Sequence, residues 1–172
     1  MSEMKKKKVL VIEDISQMFI LYKYCLDNYF EVVHGKSFTD IQNLSDKDEV
    51  VVTILDYHMP GESFDNILDY IDENYINTKK VLISGHADSL GLEQKYGDRL
   101  DEVFSKPLDD YTKLADYLVE LVGLEKVAED SSSVNNDAEL DKIQIDDTRK
   151  KVLTEKDIKD DLLNREFNLD KS

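Results

Sequence analysis

Six apolar or β-branched residues in unbroken series, Val50-Val51-Val52-Thr53-Ile54-Leu55, run straight into a carboxylate, Asp56, and Pro60-Gly61 then turns the chain. A run so short, so β-rich and without polar alternation predicts a strand buried on both faces, the kind found in a parallel sheet. Asp56 falls where that strand ends and its loop begins. In open α/β sheets, ligands bind at the carboxyl ends of the strands. Asp56 is therefore the first candidate functional residue.

Similar runs recur along the chain. Lys8-Val9-Leu10-Val11-Ile12 predicts a first strand, with Glu13-Asp14 at its end. Val32-Val33 is a weaker strand. Lys80-Val81-Leu82-Ile83 ends at Ser84-Gly85-His86, and Glu102-Val103-Phe104-Ser105 ends at Lys106-Pro107. Between them lie segments of helical periodicity. Ser16 is placed to cap a helix carrying Phe19, Ile20, Tyr22, Leu26 and Tyr29. Residues 38–44 read as a short helix. Phe64, Ile67, Leu68 and Ile71 mark a third helical face, and residues 89–96 a short fourth helix weakened by Gly91 and Gly97. Asp109 is placed to cap a last helix with Leu114, Tyr117, Leu118, Leu121 and Val122. Five strand–helix alternations imply right-handed crossovers and a parallel sheet covered on both faces, a doubly wound α/β fold.

Composition narrows the function classes. A net charge of −16 argues against nucleic acid or an anionic membrane as a direct partner, because phosphate-backbone binding rests on Lys and Arg. Basic protein surfaces and divalent cations suit such a chain better. The single cysteine, Cys25, supports no disulfide framework and reads as a small core hydrophobe. The apolar run after Lys5-Lys6-Lys7-Lys8 is too short for a signal segment or a membrane span, and a reducing cytoplasm is the natural compartment.

The strand ends deliver Glu13, Asp14, Asp56, Ser84 and Lys106 to one edge of the sheet. Gathered carboxylates repel, each raising the cost of ionising the next. A hard divalent cation such as Mg²⁺ reverses that balance, since it binds oxygen ligands while keeping some water. Lys106 supplies a point charge and Ser84 a hydroxyl donor, while Gly85 lets an anion approach the backbone. These parts suit attack by the Asp56 carboxylate on phosphorus, giving an acyl phosphate.

Residues 5–123 resemble the receiver domain of two-component response regulators. The signature of that family is an acidic pair after strand one and Asp-x-x-Met-Pro-Gly after strand three. A Ser or Thr follows strand four, and Lys-Pro follows strand five. Here Glu13-Asp14, Asp56-Tyr57-His58-Met59-Pro60-Gly61, Ser84 and Lys106-Pro107 match in order and spacing. The resemblance implies a strand order of 2-1-3-4-5. It implies that Asp56 is the phosphoacceptor, taking a phosphoryl group from a phosphohistidine on a sensor histidine kinase or a histidine phosphotransfer protein. It further implies that Asp14 binds Mg²⁺ directly, Glu13 through water, and the backbone carbonyl of His58 as another ligand. It also implies that Ser84 and Lys106 hold the phosphoryl oxygens and that the Lys106-Pro107 bond is cis. Phosphorylation then biases a two-state element and alters contacts with a downstream protein partner. On this reading the chain is a signalling protein rather than an enzyme with an external product.

The chain departs from the pattern at Val103, where the family carries Tyr or Phe; Phe104 is one residue on, and strand alternation sends it to the opposite face. His58 and His86 occupy the two flanking positions that vary in the family, two residues after Asp56 and two after Ser84. They are candidates for control of hydrolytic water and of phosphoryl lifetime. A degenerate receiver used as a binding scaffold shares the fold, but the complete acidic, Ser and Lys set argues against it. A phosphohydrolase with an aspartyl-phosphate intermediate shares the nucleophile, but has a second acid where this chain has His58. Residues 124–172 read as an acidic extension. Its linker, Glu125 to Lys142, contains Ser131-Ser132-Ser133. Beyond Thr154 a helix is expected, with Ile158, Leu162, Leu163 and Phe167 on one stripe. With 14 acidic against 9 basic residues, the extension is not a DNA-binding module.

Overall fold

The structure, a computed structural model, describes residues 5–124; the expected linker and tail helix lie outside the described residues. Five strands alternate with five helices. They are β1 (Lys8–Ile12), α1 (Ser16–Leu26), β2 (Glu31–Gly35), α2 (Phe38–Asn43), β3 (Val50–Leu55), α3 (Phe64–Asn74), β4 (Lys79–Ser84), α4 (Leu92–Tyr96), β5 (Glu102–Ser105) and α5 (Tyr111–Leu121). All strand pairs are parallel, in the order β2-β1-β3-β4-β5. This is the doubly wound fold the alternation implies. β1 and β3, the strands with the longest apolar runs, occupy neighbouring places inside the sheet, where both faces are covered.

Alternation along the strands divides the core in two. Leu10, Ile12, Leu55 and Leu82 face a layer made by Ile41 of α2, Ile67, Leu68 and Ile71 of α3, and Leu92 and Tyr96 of α4. α1 and α5 pack together on the other face, Tyr22 edge-on to Tyr111 with ring centres 5.8 Å apart. Each fully buried Leu, Ile or Phe in these layers contributes about 1.5–3 kcal/mol of transfer free energy. Val103 packs against the α2–α3–α4 layer, while Phe104 meets Tyr117 of α5 edge-on at 5.3 Å. The aromatic next to the expected position therefore does lie on the opposite face.

Local chemistry fixes the helix starts. Ser37 and Asp40 close a reciprocal capping box on α2, and the Ser63 hydroxyl accepts from the Asn66 N–H on α3. Five expectations are corrected. Ser16 does not cap α1: it is already the first helical residue, and no side chain caps that end. The buried face of α1 is Met18, Tyr22 and Leu26, a strict four-residue spacing; Ile20 is exposed and Tyr29 lies beyond the helix. Asp110 rather than Asp109 caps α5, its carboxylate accepting from the Thr112 N–H at 2.9 Å. α4 is confined to five residues, because Gly91 takes the left-handed conformation at φ 60° and separates it from the turns over residues 85–90. Cys25 is half-buried rather than a core residue.

Candidate functional site

The parallel register lines up the carboxyl ends of the strands. Ile12 pairs with Leu55, Leu55 with Leu82, and Ser84 with Ser105. The hydrogen bonding continues one residue past the strands: the Asp56 N–H donates to the Ile12 carbonyl at 3.0 Å, and the Lys106 N–H to the Ser84 carbonyl at 2.9 Å. These two bonds place Asp56 beside Glu13 and bring Lys106 across from β5. The Lys106-Pro107 peptide is cis.

At that edge Glu13, Asp14 and Asp56 each offer a carboxylate oxygen, and the three oxygens lie within 4.8 Å of one another. The Lys106 ammonium donates to the Glu13 carboxylate at 3.1 Å and stands 3.3 Å from that of Asp56. Glu13 is 1% exposed, and its other oxygen accepts from the Ile15 N–H at 3.1 Å. Asp56 and the Lys106 side chain are each 8% exposed, while Asp14 is half-buried. Three carboxylates thus face a single ammonium, inside a site that excludes most water.

The electrostatics follow from that imbalance. Burial, reinforced by the charge of Asp56, pushes the Glu13 carboxyl up to about 7 against the opposing pull of Lys106. Asp14 is raised as well, by burial first and then by Asp56. Burial pulls the Lys106 ammonium down, but Asp56, Tyr22 and Glu13 outweigh it and hold the group above its ordinary value. The carboxylates are therefore short of positive charge, and three oxygens within 4.8 Å of one another are close enough to reach one cation. An all-oxygen donor set of this kind suits a hard divalent cation rather than a soft one.

Ser84 ends β4 fully buried, and its hydroxyl accepts from the His86 N–H at 3.1 Å. His58 is exposed and His86 half-buried, with their rings edge-on and 5.3 Å between centres. All seven residues singled out from the sequence therefore lie at the carboxyl-terminal edge, on the loops that follow β1, β3, β4 and β5, or at the end of β4 itself. Two participants escaped that reading. His34 lies near the end of β2; its Nε2–H donates to the Glu13 carbonyl at 2.7 Å, and its ring stacks on Phe19 at 3.9 Å. Tyr22 is buried on α1 in the field of Lys106. The helical spacing signalled that Tyr22 was buried, but nothing local signals the neighbour it meets. A separate polar cleft of about 330 Å³ lies at the opposite pole, lined by residues that include Lys79, Lys80, Arg99 and Asp101.

No family model and no curated protein matches the sequence. Solved structures do. A response regulator receiver domain protein from Clostridium thermocellum aligns at a TM-score of 0.59 with 24% identity, covering 67% of this chain and 94% of that one. For a signal receiver domain from Vibrio parahaemolyticus the TM-score is 0.60 and the identity 23%, covering 69% of this chain and 91% of that one. A response regulator from Thermotoga maritima gives a TM-score of 0.59 at 18% identity, covering 69% of this chain and 98% of that one. At these identities the likeness is one of fold: the chain has the fold of response regulator receiver domains.

Proposed function

We propose that the chain is a phosphorylation-dependent signalling switch of the two-component or phosphorelay kind. Residues 5–123 form the receiver, and residues 124–172 an acidic extension without DNA-binding function. One observation carries the reading: Glu13, Asp14 and Asp56 converge within 4.8 Å at the strand ends, with Lys106 3.3 Å from Asp56. Asp56 is the nucleophile and takes a phosphoryl group from a phosphohistidine on a sensor kinase or phosphotransfer protein. Glu13, Asp14 and Asp56, with the His58 carbonyl, would hold Mg²⁺. When bound there, Mg²⁺ would supply neutralising charge to the incoming phosphoryl group. Lys106 gives a fixed positive charge to one phosphoryl oxygen. Ser84 turns its hydroxyl from its present partner, the His86 N–H, toward another, and the β4–α4 loop moves with it. His58 and His86 flank the route by which hydrolytic water reaches Asp56.

The receiver fold supports a signalling role rather than turnover of an external substrate, and output through protein contacts accords with the charge of −16. Among the described residues no helix is long and apolar enough to cross a membrane. The test is intact mass after incubation with acetyl phosphate and Mg²⁺. The native chain gains one phosphoryl group and Asp56→Ala gains none. Equal labelling of both chains, or of neither, removes the proposal.

A further inference from the structure

His58 and His86 come from loops 28 residues apart, yet the fold sets their rings edge-on with centres 5.3 Å apart. Two imidazoles sharing one tetrahedral metal at about 2.1 Å have ring centres about 5.2 Å apart, whereas at a right angle the separation falls to about 4.5 Å. The observed separation is one that a shared ion can span once the ring nitrogens turn toward it. We propose that His58 and His86 form a binding site for a borderline transition ion, Zn²⁺ by preference, bridging the β3–α3 and β4–α4 loops across the mouth of the carboxylate site.

Both loops are built to hold their histidine in place. The His86 N–H donates to the Ser84 hydroxyl, and its carbonyl accepts from the Leu90 N–H at 3.0 Å. His58 is backed edge-on by Tyr57, whose ring packs on buried Phe64, and Met59 anchors the next position in the core. The His58 ring is exposed, so it turns toward a shared ion at little packing cost. Imidazole nitrogen suits Zn²⁺, Cu²⁺ and Ni²⁺, while carboxylate oxygen suits Mg²⁺. The adjacent Glu13–Asp14–Asp56 cluster and this pair therefore select different ions and can be occupied together. Water completes the Zn²⁺ shell. The site does not depend on Asp56 accepting a phosphoryl group, and Zn²⁺ uptake reads the same in either case.

The test uses the untagged full chain in excess Mg²⁺, which occupies carboxylate sites. The chain has three histidines, and Cys25 is its one cysteine, so the nitrogen donors are few. Calorimetric titration with Zn²⁺ is expected to show one equivalent. His58→Ala and His86→Ala each weaken it at least about tenfold. Co²⁺ in place of Zn²⁺ is expected to give the intense visible absorption of a tetrahedral site, lost in the double variant. Circular dichroism of each variant checks that the fold persists. Absence of Zn²⁺ uptake above the Mg²⁺ background overturns the proposal, as does uptake or Co²⁺ absorption that survives in the double variant.

Discussion

Glu13 shows how burial and neighbouring charges together set the titration of one carboxyl. It is almost fully buried, and its carboxyl titrates near 7 instead of the ordinary 4.5 because burial and Asp56 together outweigh the Lys106 ion pair. The folded chain therefore binds the Glu13 proton more tightly than the unfolded chain does. That contribution to stability is complete below about pH 4.5 and is lost as pH rises through about 7. A full shift of this size is worth on the order of 3 kcal/mol. Urea unfolding in the absence of divalent ions is expected to show native stability falling relative to Glu13→Gln between pH 5 and 8. Parallel profiles for the two chains would mean that Glu13 is ionised at ordinary cost in the fold.

Among the elements, α4 and the turns before it depend most on a single backbone position. Gly91 at φ 60° ends one set of turns and opens the helix that buries Leu92 and Tyr96. A Cβ there meets only the Gln94 side-chain oxygen at 3.2 Å, so conformation rather than space sets the cost of a substitution. Gly91→Ala is expected to destabilise the chain by about 1 kcal/mol, the price of a left-handed L-residue. The measurement is equilibrium urea unfolding. A neutral result would show that this stretch is free to take another path. Tyr96 also donates to Asp65 of α3 at 2.9 Å, so a change at Gly91 reaches α3 through α4. By contrast α3 needs no such device: its four buried apolar residues and the Ser63 cap are all written in local spacing.

Across the whole molecule the two poles of the sheet differ in how they treat charge. At the amino-terminal pole Lys8 is held between Asp46 and Glu49, and Arg99 pairs with Asp69 and Asp72. At the carboxyl-terminal pole three carboxylates gather, and Lys106 pairs with two of them, Glu13 and Asp56. Mg²⁺ is therefore expected to stabilise the chain well beyond NaCl of equal ionic strength. At about 100-fold over its Kd the gain is about 2.7 kcal/mol, several degrees in Tm. Thermal melts of the native chain and Asp14→Asn check this. An equal response to both salts, or an unchanged response in the variant, would leave the cluster without a specific ion.

The five strands, the α3 face and the acid, Ser and Lys positions were all legible in the sequence, because each rests on local periodicity or on a residue following an apolar run. Caps were misread by one position at Asp109 and Ser16, since adjacent polar residues compete for the same place and the backbone angle decides. The face of α1 was misread because nearly every residue from Met18 to Leu26 is apolar, leaving no polar side to orient it. By itself, then, the chain determined which segments pair into a sheet and which chemical groups stand at their ends. Only the tertiary structure decided which ends meet. The Lys106–Glu13 bond spans 93 residues, His34 reaches the Glu13 carbonyl across 21, and His58 faces His86 across two loops. Such contacts leave no period in the sequence; they arise from strand order and register, which the packing of the whole sheet sets.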